Sequence, residues 1–293
     1  MSIFVNDIVV PGLVSGAVYT LVALGFSVLF RTTGVLNFAH GHLVMTGPML
    51  VLVATELWGW PPATAFVFGI AAVVVASLLV ERVAVRPFID TGHSVSWILS
   101  TLGASVILGE LLSIPFSGTA QAFEWGASSN GRELLGVTVS PAQGVIVGSA
   151  LVVVALLHLL STRTRLGLRL EAMAADMDGA ASLGITPSRM SQAAAILAGL
   201  IAVVTGLVLA PTLTVSASLG FAYTFNGFVA AAIGGLGSVT GALAGGMIVG
   251  FAAQLASVHL GGLYVNLVLF SLLMAIYFVR PYGLFGRTPL RTV

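Results

Sequence analysis

The chain has 293 residues and a formal net charge of +1, with 7% of residues charged and 58% hydrophobic. An ordinary soluble domain carries about 25% charged residues, and a mean hydropathy of +1.09 is more apolar surface than a soluble fold of this length can hide, so a bilayer must cover much of it. The absence of cysteine excludes disulfides and Cys-ligated metals, the absence of lysine excludes a P-loop lysine and Schiff-base chemistry, and the near-neutral charge argues against nucleic acid as a partner.

In chain order, the stretch up to Asp7 has no basic residue and does not read as a signal peptide. Runs long enough to cross a bilayer, about 20 mostly apolar residues each, fall at 8–30, 42–57, 62–80, 94–113, 141–160, 191–210, 240–258 and 263–279, with a weaker stretch at 221–233. The expected fold is an all-α polytopic bundle of about eight or nine transmembrane helices, with at least one broken or re-entrant segment. The irregular backbone is expected in the short or Gly-interrupted runs 42–57 and 221–233. Residues 1–293 read as one membrane domain, because the longest polar stretch, 115–140, suffices for a loop or small hairpin only.

Arginine placement sets the orientation. With the N-terminus outside, Arg31, Arg82, Arg86, Arg163, Arg165, Arg169, Arg189, Arg280, Arg287 and Arg291 are all cytoplasmic and Arg132 alone is outside, as the positive-inside rule requires. The pairs Gly241/Gly245 and Gly246/Gly250 have G-x-x-x-G spacing, which suits close helix packing within the bundle or contact between subunits.

Enzymatic machinery is hard to assemble. His40 and His42 lie on different helix faces without further ligands nearby, and His93, His158 and His259 are scattered singly. The string 234–238 is glycine-rich but has no strand before it and no lysine, so it is a poor phosphate cradle. Glu56, Glu81 and Asp90 sit at helix ends or in loops, and Glu110 lies toward the outer end of its helix. An ion-coupled secondary carrier or channel for a small polar solute is the alternative reading, and it lacks the deep carboxylate such carriers usually show.

The basic loop 161–189 carries an apolar stripe, Leu166, Leu170, Met173, Met177 and Ala181, at helical spacing, with Arg165, Arg169, Asp176 and Asp178 off it. Gly184 suits a C′ position, and Thr186 and Pro187 suit the N-cap and N1 of the next span. A short amphipathic helix is therefore expected at the cytoplasmic face, resting on lipid or docked into a soluble partner.

Here the residues resemble a family. Asp178-Gly-Ala180-Ala181-Ser-Leu-Gly184-Ile185 resembles the E-A-A-x-x-x-G loop of ATP-binding cassette importer permeases, and Gly34-Val-Leu-Asn37-Phe38-Ala39-His40-Gly41 resembles the G-x-x-N-F-A-H-G signature of the permeases for branched-chain amino acids. The glycine-rich run 11–25, residues 234–246 and the 280–286 segment Arg-Pro-Tyr-Gly-Leu-Phe-Gly fit the same family, so the resemblance covers about residues 8–287. Four positions depart from it. His42 stands where Glu is common, Glu171 where Arg is common, and Asp178-Gly179 replaces the first two residues of E-A-A.

The resemblance implies a permease subunit that moves branched-chain amino acids, or a related amino-acid or amide solute, by alternating access. It implies two cytoplasmic ATPase subunits holding ATP and magnesium, with no cofactor on this chain. It further implies a second, related permease subunit giving a heterodimer, an extracytoplasmic substrate-binding protein, and a multi-pass place in a bacterial inner membrane. Coupling to the ATPases falls on the loop 161–190, at Asp176, Asp178, Ala180, Ala181, Gly184 and Ile185. Solute binding is expected where helices are broken, which makes Asn37, His40 and Asn226 candidates for the path. Asn37 and His40 serve equally well to satisfy unpaired backbone groups in a bent loop.

Overall fold

The computed structural model describes residues 5–89, 95–123, 131–134 and 137–286. Asp90, His93, Arg287 and Arg291 lie outside the described residues. Among those described, the helices are α1 (Val10–Thr33), α2 (His40–Leu52), α3 (Pro62–Val80), α4 (Ser96–Ser113), α5 (Pro141–Arg163), α6 (Arg165–Ala175), α7 (Met177–Ser182), α8 (Pro187–Leu209), α9 (Leu219–Gly234), α10 (Val239–His259) and α11 (Val265–Val279). One antiparallel hairpin pairs β1 (Arg132–Leu134) with β2 (Val137–Val139), in the polar stretch read as a loop or small hairpin.

Among the described residues, seven helical segments, those containing α1, α3, α4, α5, α8, α10 and α11, are long and apolar enough to cross a membrane. The protein is a multi-pass helical membrane protein. The two remaining apolar runs of the sequence are also helical; the first is irregular as expected, whereas the second is short but regular along its length. α2 is continued by a π-helical turn, Val53–Leu57, and contains Pro48. α9 has 16 residues, about 24 Å of helix against a hydrocarbon core of about 30 Å. Chain direction changes around each at glycines with positive φ: Gly34 (69°) before α2, and Gly235 (102°) and Gly237 (83°) after α9.

Burial separates a centre from a rim. In α1 and α8 most of the apolar stretch is inside the protein (67% and 61%), whereas in α11 only 6% is. α2 is buried along nearly its whole length. Both G-x-x-x-G pairs act within the chain. A Cβ on Gly246 or Gly250 would run into the α1 backbone at Thr20 or Gly16, and one on Gly245 would meet the Ala230 carbonyl of α9. Small residues thus let α10 lie against α1 and α9 at backbone distance.

The loop between α5 and α8 departs from expectation. In place of one amphipathic helix the structure has two, α6 and α7, separated by Asp176 in an extended conformation (φ −157°, ψ 108°). The break has a local cause: the Asp176 side chain accepts a hydrogen bond from the Gly179 amide at 3.0 Å and so caps α7. The register slips by one, and Ala180 is buried where Ala181 was expected to be. Thr186 occupies the N-cap position of α8, but its side chain makes no capping bond. Glu81, expected at a helix end or in a loop, lies in a π-helical turn (Glu81–Val85) that extends α3, with 1% of its surface exposed.

Candidate coupling site and translocation path

α6 starts on Thr164, whose side chain accepts from the Gly167 amide at 3.0 Å. Gly167 sits where α6 turns back under α5, and a Cβ there would collide with the Leu160 carbonyl. The far end of the segment closes as a Schellman motif. The Gly184 amide donates to the Ala181 carbonyl (3.0 Å) and the Ile185 amide to the Ala180 carbonyl (3.1 Å), with Gly184 at φ 84°. The segment from Asp176 to Ile185 is therefore fixed at both ends by its own hydrogen bonds.

It has two faces. Leu170, Met173 and Ala180 are buried in a cluster with Leu29, Val35, Val85, Met190 and Ala194, and Ile185 packs against its edge. This cluster joins the loop to the ends of α1, α3 and α8. The opposite face shows Asp176, Asp178, Ala181, Ser182 and Gly184 to the outside, with Leu183 83% exposed. The six residues expected to couple are thus brought together, four of them exposed with Ala180 and Ile185 turned toward the cluster. Arg31 ties the segment to α1, its Nη2 donating to Oε1 of Glu171 at 2.6 Å.

The Arg31–Glu171 pair lines a cavity of about 640 Å³, together with Thr33, His158, Ser161, Met177, Leu236 and Phe285. These residues come from α1, α5, α6 and α7 and from the segments that follow α9 and α11, so the 161–189 loop meets the end of α1 and those two segments here. A second cavity, about 340 Å³, opens toward the other end. It is lined by Ser15 and Tyr19 of α1, Ser140 and Gln143 at the start of α5, Thr212 after α8, and Tyr223 of α9.

None of the three path residues lines either of these two cavities. Asn37 is buried and its Oδ1 accepts from the Ala39 amide at 3.0 Å, closing a local turn. His40 is buried with its ring edge-on to Phe26, pressed against Gly25, and its Nε2 has no hydrogen-bond partner among the described residues. Asn226 donates to the Tyr19 hydroxyl at 3.2 Å, which sets it one bond behind the wall of the second cavity. His42 pairs its Nδ1 with the Ser105 hydroxyl of α4 at 2.8 Å.

Thr224 is the residue that sequence reasoning missed here. Its hydroxyl accepts from the Gly41 amide (3.2 Å) and donates to the Gly220 carbonyl (2.8 Å), pinning the 34–41 turn to α9. Nothing about a threonine in an apolar run announces that role.

Comparison with known proteins decides the family. The family model described as branched-chain amino acid transport system / permease component matches residues 8–278. The chain belongs to this permease family. Curated relatives include the high-affinity branched-chain amino acid transport system permease proteins LivH of Salmonella typhimurium and BraD of Pseudomonas aeruginosa. The permease is 28% identical to LivH, over 96% of each chain. It is 29% identical to BraD, over 97% of its own length and 96% of BraD. A probable branched-chain amino acid transport permease protein LivH of Methanocaldococcus jannaschii is 27% identical, over 91% of the permease and 88% of the relative. Among solved structures, PsaBC from Streptococcus pneumoniae in complex with Fab shares the fold, with a TM-score of 0.51 at 13% identity over 93% of this chain and 91% of that one.

Proposed function

We propose that the permease forms the membrane path of an ATP-driven importer of branched-chain amino acids, with its N-terminus outside and its C-terminus in the cytoplasm. Two cytoplasmic ATPase subunits hold the ATP and magnesium, a related permease subunit completes the path, and an external binding protein delivers solute at the hairpin end. The observation that carries this reading is the two-faced segment from Asp176 to Ile185, in a chain matched to the permease family along nearly its whole length. One face is seated in a cluster that reaches α1, α3 and α8. The other presents a rigid, exposed turn from Ala181 to Gly184, which suits a lever docked in a soluble partner.

In the proposed cycle, ATP binding moves this lever, and the bundle switches between openings at its two ends. The neutral, hydroxyl-lined cavity at Tyr19 and Tyr223 belongs to the outer opening. The charged one at Arg31 and Glu171 belongs to the inner.

The test is uptake of labelled leucine, isoleucine and valine by cells whose own copy is replaced by Gly184→Trp. A Cβ at Gly184 meets nothing within 4 Å, but φ 84° strains any side chain there, so the amount of variant in the membrane is measured beside uptake, and uptake per molecule is expected to be abolished. Normal uptake by a well-expressed variant sinks the coupling assignment. Uptake by the purified wild-type chain alone in liposomes, without ATP, replaces the importer with a carrier.

A further inference from the structure

Glu81 is a carboxylate at the arginine-rich end of a membrane-spanning helix, 1% exposed. Burying a charge is costly unless it is paired and hydrogen-bonded, and an ionisable group so placed calls for a functional account. Arg86, five residues on, supplies the pairing: its Nε and Nη2 donate to Oε1 and Oε2 of Glu81, each at 3.1 Å. The third bond comes from another helix. The Ser191 hydroxyl, in the second turn of α8, donates to Glu81 Oε1 at 2.6 Å.

This bond is the end of a seam. One turn further along, the Ser77 hydroxyl of α3 donates to the Ala195 carbonyl of α8 at 2.7 Å. One turn beyond that, Gly199 leaves the space that Ser77 fills. Positions 191, 195 and 199 of α8 thus meet 81 and 77 of α3 at helical spacing. α8 begins at Pro187, directly after the Schellman turn at Gly184 and Ile185. Its first turns share the Leu170–Ala180 cluster with Val85 of the same π-helical turn as Glu81.

We propose that Glu81 is a positioning residue that binds α3 to the first turns of α8, so that the two helices move as one body when the coupling segment moves. The inference rests on the ATP-driven reading above. On this account Arg86 pairs the buried carboxylate and aims it, and Ser191 is the hook by which α8 pulls it.

The experiment uses the whole complex purified from its native membrane and returned to liposomes, and reads leucine moved per ATP hydrolysed. Ser191→Ala removes only the interhelix bond. It should lower that ratio about fivefold, the low end of measured site-to-site couplings, with ATP hydrolysis and the KM for leucine held near wild type. Ser191→Thr, which keeps the hydroxyl, should restore the ratio. Glu81→Gln should lower it further, but Ser191→Ala decides the matter if that variant does not assemble.

A wild-type ratio in Ser191→Ala overturns the proposal. So does a fall of transport and hydrolysis in step with the amount of complex, which marks a merely structural bond. Wild-type complex that moves leucine without ATP overturns the importer reading itself, and shows it before any variant is made.

Discussion

The two segments that carry the family resemblance are built in opposite ways. The 34–41 turn is sealed: Asn37 is spent on a local amide, His40 is wedged against Gly25, and Gly41 touches the α9 backbone. The 176–185 segment is equally well determined by hydrogen bonds, yet it offers six of its ten residues to the outside. The lesson is that a signature marks a constraint without saying which kind. In the first segment the constraint is packing between α1, α2 and α9. In the second it is the shape of an exposed surface.

That contrast can be broken by substitution. The largest effect is expected at Gly41, where a Cβ would collide with the Gly220 carbonyl and the Thr224 hydroxyl and amide. Backbone cannot give way as a side chain can, so Gly41→Val should cost about 3 kcal/mol or more and yield little folded protein. The check is recovery and thermal unfolding in detergent. Thr224→Ala should follow, at about 1–2 kcal/mol, because it leaves the buried Gly41 amide without its acceptor. Thr224→Ser should recover most of the lost Tm.

Changes at the exposed segment should invert the pattern, small in stability and large in function. Asp176→Ala loses the cap of α7 and should cost about 1 kcal/mol, with weaker recovery of ATPase subunits in a pull-down. Ala181→Leu, on the exposed face, should shift stability by less than about 0.5 kcal/mol while lowering that recovery further. Equal losses of stability and assembly at both segments would erase the distinction between them.

Much of this was legible in the chain. Apolar runs between arginine-bearing loops mark the spans, because a bilayer demands about 20 such residues whatever their order. The glycines at 34, 235 and 237 mark the turns beside α2 and α9, since positive φ has few other tenants. What stayed hidden depends on which partner a side chain finds, close by for Asp176 and distant in sequence for the others. Asp176 reads as a charge on a helix face until its carboxylate turns back to cap α7. Glu81 reads as interfacial until Ser191 arrives from 110 residues away. Thr224 and Tyr19 show no pattern at all, and only the fold brings Tyr19 to Asn226.

The central claim is that the turn from Ala181 to Gly184 docks in a cytoplasmic ATPase, and the absence of native cysteine makes it directly testable. Ala181→Cys carrying a short photo-crosslinker, in native membranes, should yield one adduct that contains an ATPase subunit. Leu263→Cys, at a site 96% exposed on the rim, should yield none. ATPase captured from neither position, or equally from both, would contradict the account.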